Sequence, residues 1–480
     1  MYRVDYESIE SLNRLAVILR DNNSCKIGNV IPPKIAKSIV SLVPDEWFEP
    51  KGDELIEKYK LDLDKYTENH RVLDICCNSG VLLTMFMNKF YDVLHNYKNF
   101  TEETDLCYEY ILKNLVYGIC SNKFLCREIR GVLYNNKNVH GNIFNYGIYS
   151  EVSSNNFEIR DGKVFIYDSI KKEKIEMKFD IVCGNPPYNN DMYLDFVQLG
   201  HKLAKTYDLW ITPAKFIAKN DKGGKNDNFR KVVLGNIKDL VLYIHTHEVF
   251  SILSDGGIAY YLCDKNSHTG INVKNICNEV PDLVNSNSQL VKNKDIKKYS
   301  LINISDSILD KLYSNGFQQY NPKKADESSY NFYLTSQFGG SGAPTNRFFA
   351  NDGKALVLSD YEVLKRGDKP KSGTTMRLFS SDDLDECNNY LSWIYSKFVR
   401  FLLVCGMCVR SSVSDECWRF VPDPLSFDKI YEDKPLDDYT PDENGEYIDK
   451  DGNKHCSLYV KYGLTDEEIN VIESVIRERK

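Results

Sequence analysis

What this chain lacks narrows it first. No run of about 18 apolar residues occurs, so no membrane-spanning helix is expected. The opening stretch, MYRVDYESIE, is acidic and polar, without the apolar core of a secretory signal. Positive charge is not in surplus: 61 Lys and Arg stand against 69 Asp and Glu, for a net charge of -8. No global field draws nucleic acid to the chain, and a polyanion has to be met by a local basic patch. Paired thiol motifs are missing as well. Cys405 and Cys408 have metal-ligand spacing but no second pair, and they sit in the apolar run FLLVCGMCVR, which favours core packing. Asp449, Asp451 and Gly452 hint at a calcium loop, yet Tyr447 and Leu458 stand where carboxylates are required; a turn is expected.

The 14 cysteines are scattered, several of them in strand-like runs (Cys76, Cys77, Cys183, Cys263). That suits buried free thiols in a reducing compartment, and a cytoplasmic location is expected. With 480 residues the chain is long enough for two domains. It is 42% hydrophobic and 27% charged, with a mean hydropathy of -0.43, which excludes neither folding nor water solubility.

Between residues 70 and 265 short β-rich runs alternate with helical stretches. The strand candidates are 71–77 (RVLDICC), 114–120 (NLVYGIC), 138–144 (NVHGNIF), 179–183 (FDIVC), 208–211 (DLWI), 239–245 (DLVLYIH) and 257–263 (GIAYYLC). Helical periodicity marks 82–97 and 192–205, and 163–178 has the pattern of an inserted hairpin. Such alternation predicts an α/β fold with a doubly wound, largely parallel sheet. Around 266–298 the composition turns to Asn, Lys and Ser, which places a domain boundary there: 1–268 and 269–480. The second part reads as mixed α+β, with Gly-rich turns at 339–342, an apolar helix near 390–405 and an acidic loop over 422–451. A final helix is opened by a capping box, Thr465 to Glu468.

Two loops carry chemistry. In RVLDICCNSG (71–80) a strand ends in small residues and a helix follows at once, so the backbone can approach a ligand and present unpaired N–H groups. Asp74 stands at the strand's C-terminal end, the ligand-binding edge of an open α/β sheet, where a carboxylate can accept from an ammonium group. In DIVCGNPPYNND (180–191) a buried strand runs into Asn185, Pro186, Pro187 and Tyr188. Two prolines strip donors from this loop and force extended geometry on the residue before each. The Asn185 side-chain carbonyl and the Pro186 backbone carbonyl are then two fixed acceptors for one amine, and Tyr188 is a stacking platform.

Together the two loops resemble the S-adenosylmethionine-dependent N6-adenine DNA methyltransferases, in the gamma-class order of restriction–modification enzymes: cofactor loop, catalytic loop, target-recognition domain. GNVIPPKIAKSIV (28–40) is similar to the family's segment over the methionine moiety, with Ile31 where Thr is usual and Pro32 after it. ITPAKFIAKNDKGGKNDNFRK (211–231) and HEVFSILSDGG (247–257) resemble two further family segments. The resemblance implies a Rossmann-like, seven-stranded methyltransferase domain followed by a mixed α+β target-recognition domain. It implies S-adenosylmethionine as cofactor, held by Ile31, Pro32, Asp74, Cys76, Asn78, Ser79, Gly80, Cys120, Ser121, Asn142 and Ile143. It also implies catalysis by Asn185, Pro186, Pro187 and Tyr188, double-stranded DNA as partner, and a cognate restriction endonuclease as a further one. Three positions depart from the pattern. Asn78 replaces a glycine, Cys120 stands where an acid chelates the ribose, and Asn142 replaces the Asp that meets the adenine amine. The last two changes should weaken cofactor binding by about 1–3 kcal/mol in total.

An exocyclic aromatic amine is a poor nucleophile because its lone pair is delocalised. Two acceptors gripping its N–H groups let the nitrogen pyramidalise in line with an incoming methyl. A base in a duplex must first be flipped out, at a few kcal/mol, and stacking on Tyr188 returns about 1–3 kcal/mol. Phe250 and Tyr299 are the candidates for its second face. The basic residues Lys215, Lys222, Lys225 and Arg230 follow the fifth strand, where phosphate contacts are expected. Arg347, Lys365, Arg366, Lys369, Lys371 and Arg377 are candidates for the grooves. Two other readings stay open: methylation of a protein glutamine or an RNA guanine by the same loop, or a DNA-binding specificity protein whose cofactor site has decayed.

Overall fold

The computed structural model describes residues 6–21, 29–101, 104–134, 141–149, 153–217, 223–243, 249–250, 257–266, 269–276, 289–291, 305–314, 316–321, 332–337, 360–368, 375–406 and 415–476. Seven strands form the expected series: β1 (Val72–Asp74), β2 (Val116–Cys120), β3 (Asn142–Asn145), β4 (Phe179–Gly184), β5 (Ala204–Pro213), β6 (Ile237–Tyr243) and β7 (Ile258–Asp264). They lie in the order β3-β2-β1-β4-β5-β7-β6, and only β7 runs antiparallel to its neighbours.

Why these segments are strands is plain from their burial. β2 and β4 are buried at every residue, and their alternate side chains feed two cores. Val72, Ile181 and Leu209 face one core with Phe86 and Ile111. Leu73, Val182 and Trp210 face the other with Leu194 and Phe229. Burial on both faces turns a strand into a continuous apolar run. The first core is roofed by α1 (Tyr6–Asp21), α2 (Pro33–Val40), α3 (Val81–Leu94), α4 (Thr104–Asn114) and α5 (Lys123–Leu133). The second is covered by α6 (Met192–Leu203) and α7 (Lys225–Val233).

Two features differ from expectation. The sheet does not stop at seven strands, because β8 (Ile271–Ile276) pairs parallel with β6 and β9 (Gln289–Val291) pairs with β8, giving nine. A boundary between 268 and 269 therefore falls inside the sheet. The reason is the alternation of β8, which buries Ile271, Val273 and Asn275 and exposes Asn272 and Lys274. A half-exposed strand near a sheet edge has linker-like composition. The hairpin of Lys163–Asp168 and Glu173–Met177 forms, but Phe157–Arg160 joins it as a third antiparallel strand.

The second half has its own core, built around Trp393, Phe401, Trp418 and Tyr459. It is packed from α8 (Ser305–Ser314), α9 (Leu384–Tyr395), α10 (Lys397–Gly406) and α11 (Asp466–Val475), with two three-stranded sheets. The single helix expected near 390–405 is two, broken at Ser396, whose ψ of 146° is extended. The acidic stretch holds two short strands, Ile430–Glu432 and Glu446–Ile448, and the Asp449 segment is a turn closed by Gly452 N–H on the Asp449 carbonyl at 3.0 Å. The capping box forms as expected, with Thr465 Oγ1 and Glu468 each accepting the other's backbone N–H. Cys405 is buried, while Cys408 and the turn at 339–342 lie outside the described residues. No helix among the described residues is long and apolar enough to cross a membrane.

Candidate active site

Strand order reverses between β1 and β4, and the crevice beyond their C-terminal ends is where open α/β sheets bind ligands. Register sets Asp74 beside Cys183, so the loops after β1 and β4 leave the sheet side by side. The β1 loop turns through Asn78 at φ 41° and Gly80 at φ 75°. Asn tolerates the left-handed region, so the turn survives without the usual glycine. Gly80 could not be replaced as easily, since a Cβ there would lie 3.1 Å from the Ile129 side chain.

Asp74 is 1% exposed, and its Oδ1 accepts the Cys76 N–H at 2.9 Å. Burial outweighs that bond and pushes its carboxyl up to about 7. A cation beside it would reverse the shift. Ile31, Asp74, Cys76, Asn78 and Ser79 line one cleft of about 200 Å³, together with Asn185. Pro32 stands beside it as the N-cap of α2. Cys120 meets the cleft indirectly: its thiol is hydrogen-bonded to that of Cys77, a cleft residue, and lies 3.4 Å from the Asn122 carbonyl. Ser121 is exposed at the same edge.

Asn142 and Ile143 do not line the cleft. Asn142 opens β3 opposite Tyr117, and its Nδ2 donates to the carbonyls of Lys113 at 2.8 Å and Leu112 at 3.3 Å, before the start of β2. Ile143 is buried against Gly118. The strand runs over 142–145 rather than 138–144, which sets Asn142 level with Leu73 and Ile143 level with Asp74, inside the sheet. Asn145, opposite Cys120, holds the cleft-side position, with Nδ2 on the Cys120 carbonyl at 2.9 Å. HGNIFNYG accommodates a short strand on either side of its first Asn, so only pairing with β2 distinguishes Asn145.

The β4 loop places Asn185 at the cleft, 2% exposed. Its Nδ2 donates to the Asn29 carbonyl, which fixes the amide's orientation. Oδ1 is left to accept from Tyr188 Oη–H at 3.0 Å, and that hydroxyl has a second acceptor in the Ile211 carbonyl at 3.3 Å. Pro186 is buried and Pro187 half-buried. Phe250 meets the Tyr188 ring edge-on at 6.2 Å and Tyr193 meets it edge-on at 6.3 Å, while Tyr299 lies outside the described residues. Asn29 was missed because its contribution is a backbone carbonyl, which no side-chain motif announces. Its nearest signal is its place in GNVIPP. Asn13 of α1 holds the same segment by donating to the Ile31 carbonyl at 3.1 Å.

Of the four cations expected to face phosphate, the three described ones each have a partner within the chain. Arg230 is 6% exposed and donates to the Phe216 carbonyl at 2.9 Å, so it serves packing and not a surface contact. Lys225 pairs with Asp195 at 3.0 Å and Lys215 with Asp191; Lys222 lies outside the described residues. Behind the sheet, His201, Asp208 and Cys263 are close enough to hold a metal. His201 Nδ1 instead bonds Asp208 Oδ1 at 2.8 Å and Trp210 Nε1–H donates to Oδ2 at 2.6 Å, so the carboxylate is already satisfied.

The fold and site thus define a doubly wound α/β protein with a cleft at its switch point, lined by Asp74 and by Asn185 of the loop after β4. No family model matches the chain, and no curated protein does. Among solved structures it is similar to a modification subunit of a putative type I restriction enzyme from Vibrio vulnificus, at 12% identity and a TM-score of 0.36, over 66% of this chain and 60% of that one. A type I restriction–modification methyltransferase subunit from Streptococcus thermophilus aligns at 12% identity and a TM-score of 0.29, over 61% and 52% of the two chains. A putative class I S-adenosylmethionine-dependent methyltransferase from Listeria monocytogenes aligns at 14% identity and 0.32, over 57% and 75%. The chain thus spans 60% and 52% of the two restriction-system subunits it matches.

Proposed function

We propose that the chain is a site-specific DNA adenine-N6 methyltransferase, the modification component of a restriction–modification system. The observation that carries this reading is the Asn185 amide, which lines the Asp74 cleft, locked by the Asn29 carbonyl with its own oxygen left to accept from the Tyr188 hydroxyl. S-adenosylmethionine suits that cleft at one end: Asp74 is a buried carboxylate raised to about 7 that a ligand ammonium would ionise, and Ser79 and Gly80 open the helix beside it. When bound, the cofactor supplies an electrophilic sulfonium methyl. Asp74 would hold its ammonium and Ile31 would cover its chain.

The protein's own residues do the rest. Asn185 Oδ1 and the Pro186 carbonyl accept the two amine hydrogens of a flipped adenine. The Tyr188 hydroxyl, which meets Oδ1 in the free protein, transfers to the Ile211 carbonyl as the amine arrives. One acceptor is thereby exchanged for another, and Oδ1 is never left unpaired. No carboxylate stands in the tetrapeptide, in keeping with proton loss after methyl transfer.

The expected result is transfer of labelled methyl from S-adenosylmethionine to double-stranded DNA at adenine N6, lost at least about 100-fold in Asn185→Ala, the scale of losing one preorganised transition-state partner. Transfer to protein or RNA instead of DNA would sink the reading. A second reading, a DNA-binding protein with a decayed cofactor site, is favoured by Cys120, whose thiol stands where an acid would chelate the ribose. Calorimetry with S-adenosylmethionine separates the two, since only the enzyme binds it.

A further inference from the structure

We infer that Lys215 is a positioning residue for the catalytic loop, acting through Asp191 rather than on a DNA phosphate; the inference rests on the methyltransferase reading above. Asn190 and Asp191, which follow the tetrapeptide, both sit in the left-handed region, at φ 53° and 58°. Two successive non-glycine residues there persist only where surrounding structure holds them. Asp191 is the N-cap of α6, a place where a carboxylate ordinarily accepts the helix's free N–H groups. Here it makes no such bond, and it pairs with Lys215 instead.

Lys215 belongs to the turn Ala214–Ile217 that leaves β5, the strand beside β4, so the pair ties the exits of two neighbouring strands. The same ammonium lies 5.8 Å from the centre of the Tyr193 ring, and Tyr193 meets the Tyr188 ring edge-on. Lys215 therefore braces the stacking platform in two ways, through the loop backbone and through Tyr193. Neither residue of the pair lines the Asp74 cleft. Its loss should spare cofactor binding and disturb the pose of the acceptor base.

The test compares Lys215→Met, Lys215→Arg, Asp191→Asn and the Met/Asn double variant of the full chain. Each is assayed for single-turnover methyl transfer to DNA, S-adenosylmethionine binding by calorimetry, and thermal unfolding. Lys215→Met and Asp191→Asn should each slow transfer about 10–100-fold, the scale on which a 1 Å misplacement acts, with cofactor affinity unchanged. The double variant should be no slower than either, and Lys215→Arg should recover most of the rate. A phosphate contact would instead raise KM for DNA in Lys215→Met alone and leave Asp191→Asn at the wild-type rate; that pattern overturns the inference. Should the wild type methylate no DNA, the functional reading fails separately. The unfolding cycle then decides the pair, because additive Tm shifts for Lys215→Met and Asp191→Asn would refute the brace whatever the substrate.

Discussion

Asp74 carries opposite consequences for stability and for binding. Its folded pKa of about 7 lies above the ordinary 3.8, so the folded state holds a proton that the unfolded chain has released between those values. Stability from this group is present in full below about pH 4 and is lost as pH rises through about 7. A cationic ligand needs the ionised form and should bind more tightly over the same rise. Asp74→Asn should therefore raise the Tm of the ligand-free protein at pH 8 while abolishing S-adenosylmethionine binding. Unfolding scans and calorimetry on either side of pH 7 read both halves, and a variant that loses stability at pH 8 would contradict the argument. Tyr188 separates two roles in the same way. Tyr188→Phe removes a hydroxyl that has two alternative acceptors, at about 1 kcal/mol of stability, and keeps the ring. Tyr188→Ala removes the platform and should lower methyl transfer by about 10–100-fold, the worth of one stacked base. Equal losses in the two variants would mean that the ring is not a platform.

At the scale of elements, strand identity is easier to read than strand register. FDIVC and VYGIC are legible because both faces are buried, so nearly every residue is apolar. Asn78 was legible through its tolerance of positive φ, and Thr465 through the spacing of its capping partner. Register was not, because it is decided by a pairing with a distant strand that leaves no local mark. A four-residue strand can slide along its neighbour without changing its pattern, and Asn142 falls at its start, with its amide on the Lys113 carbonyl. Asn142→Ala should consequently leave S-adenosylmethionine affinity at the wild-type value and lower stability through the lost bond to the Lys113 carbonyl. A large loss of cofactor affinity in that variant, measured by calorimetry, would restore the original placement. Arg230 shows the same limit in a helix. Its charge and place in NDNFRK suggested a surface contact, but α7 turns it inward to the Phe216 carbonyl.

Across the whole molecule, the sheet and the second core set where the chain can be divided. A fragment ending at His268 strips β8 and β9 from the sheet and uncovers the pairing edge of β6, where Leu240 and Leu242 are buried. Such an edge is a template for aggregation, so that fragment should precipitate, whereas one ending at about residue 300 should stay in solution. Light scattering on the two fragments distinguishes them, and a well-behaved monomer ending at His268 would count against the nine-stranded unit. The composition shift that suggested the earlier boundary is that of a strand with one wet face, and composition alone does not separate such a strand from a linker.

The Asn29 carbonyl that orients the Asn185 amide has an evolutionary corollary. Because the contact is made by backbone, side-chain replacement at position 29 does not remove the acceptor, and the buried position needs only a side chain of fitting size. Constraint is displaced onto residues that hold the segment in place, Asn13 through the Ile31 carbonyl and the proline pair that opens α2. A saturation scan should find position 29 tolerant of side chains of similar size and position 13 intolerant, the reverse of what distance to the reacting amine would suggest.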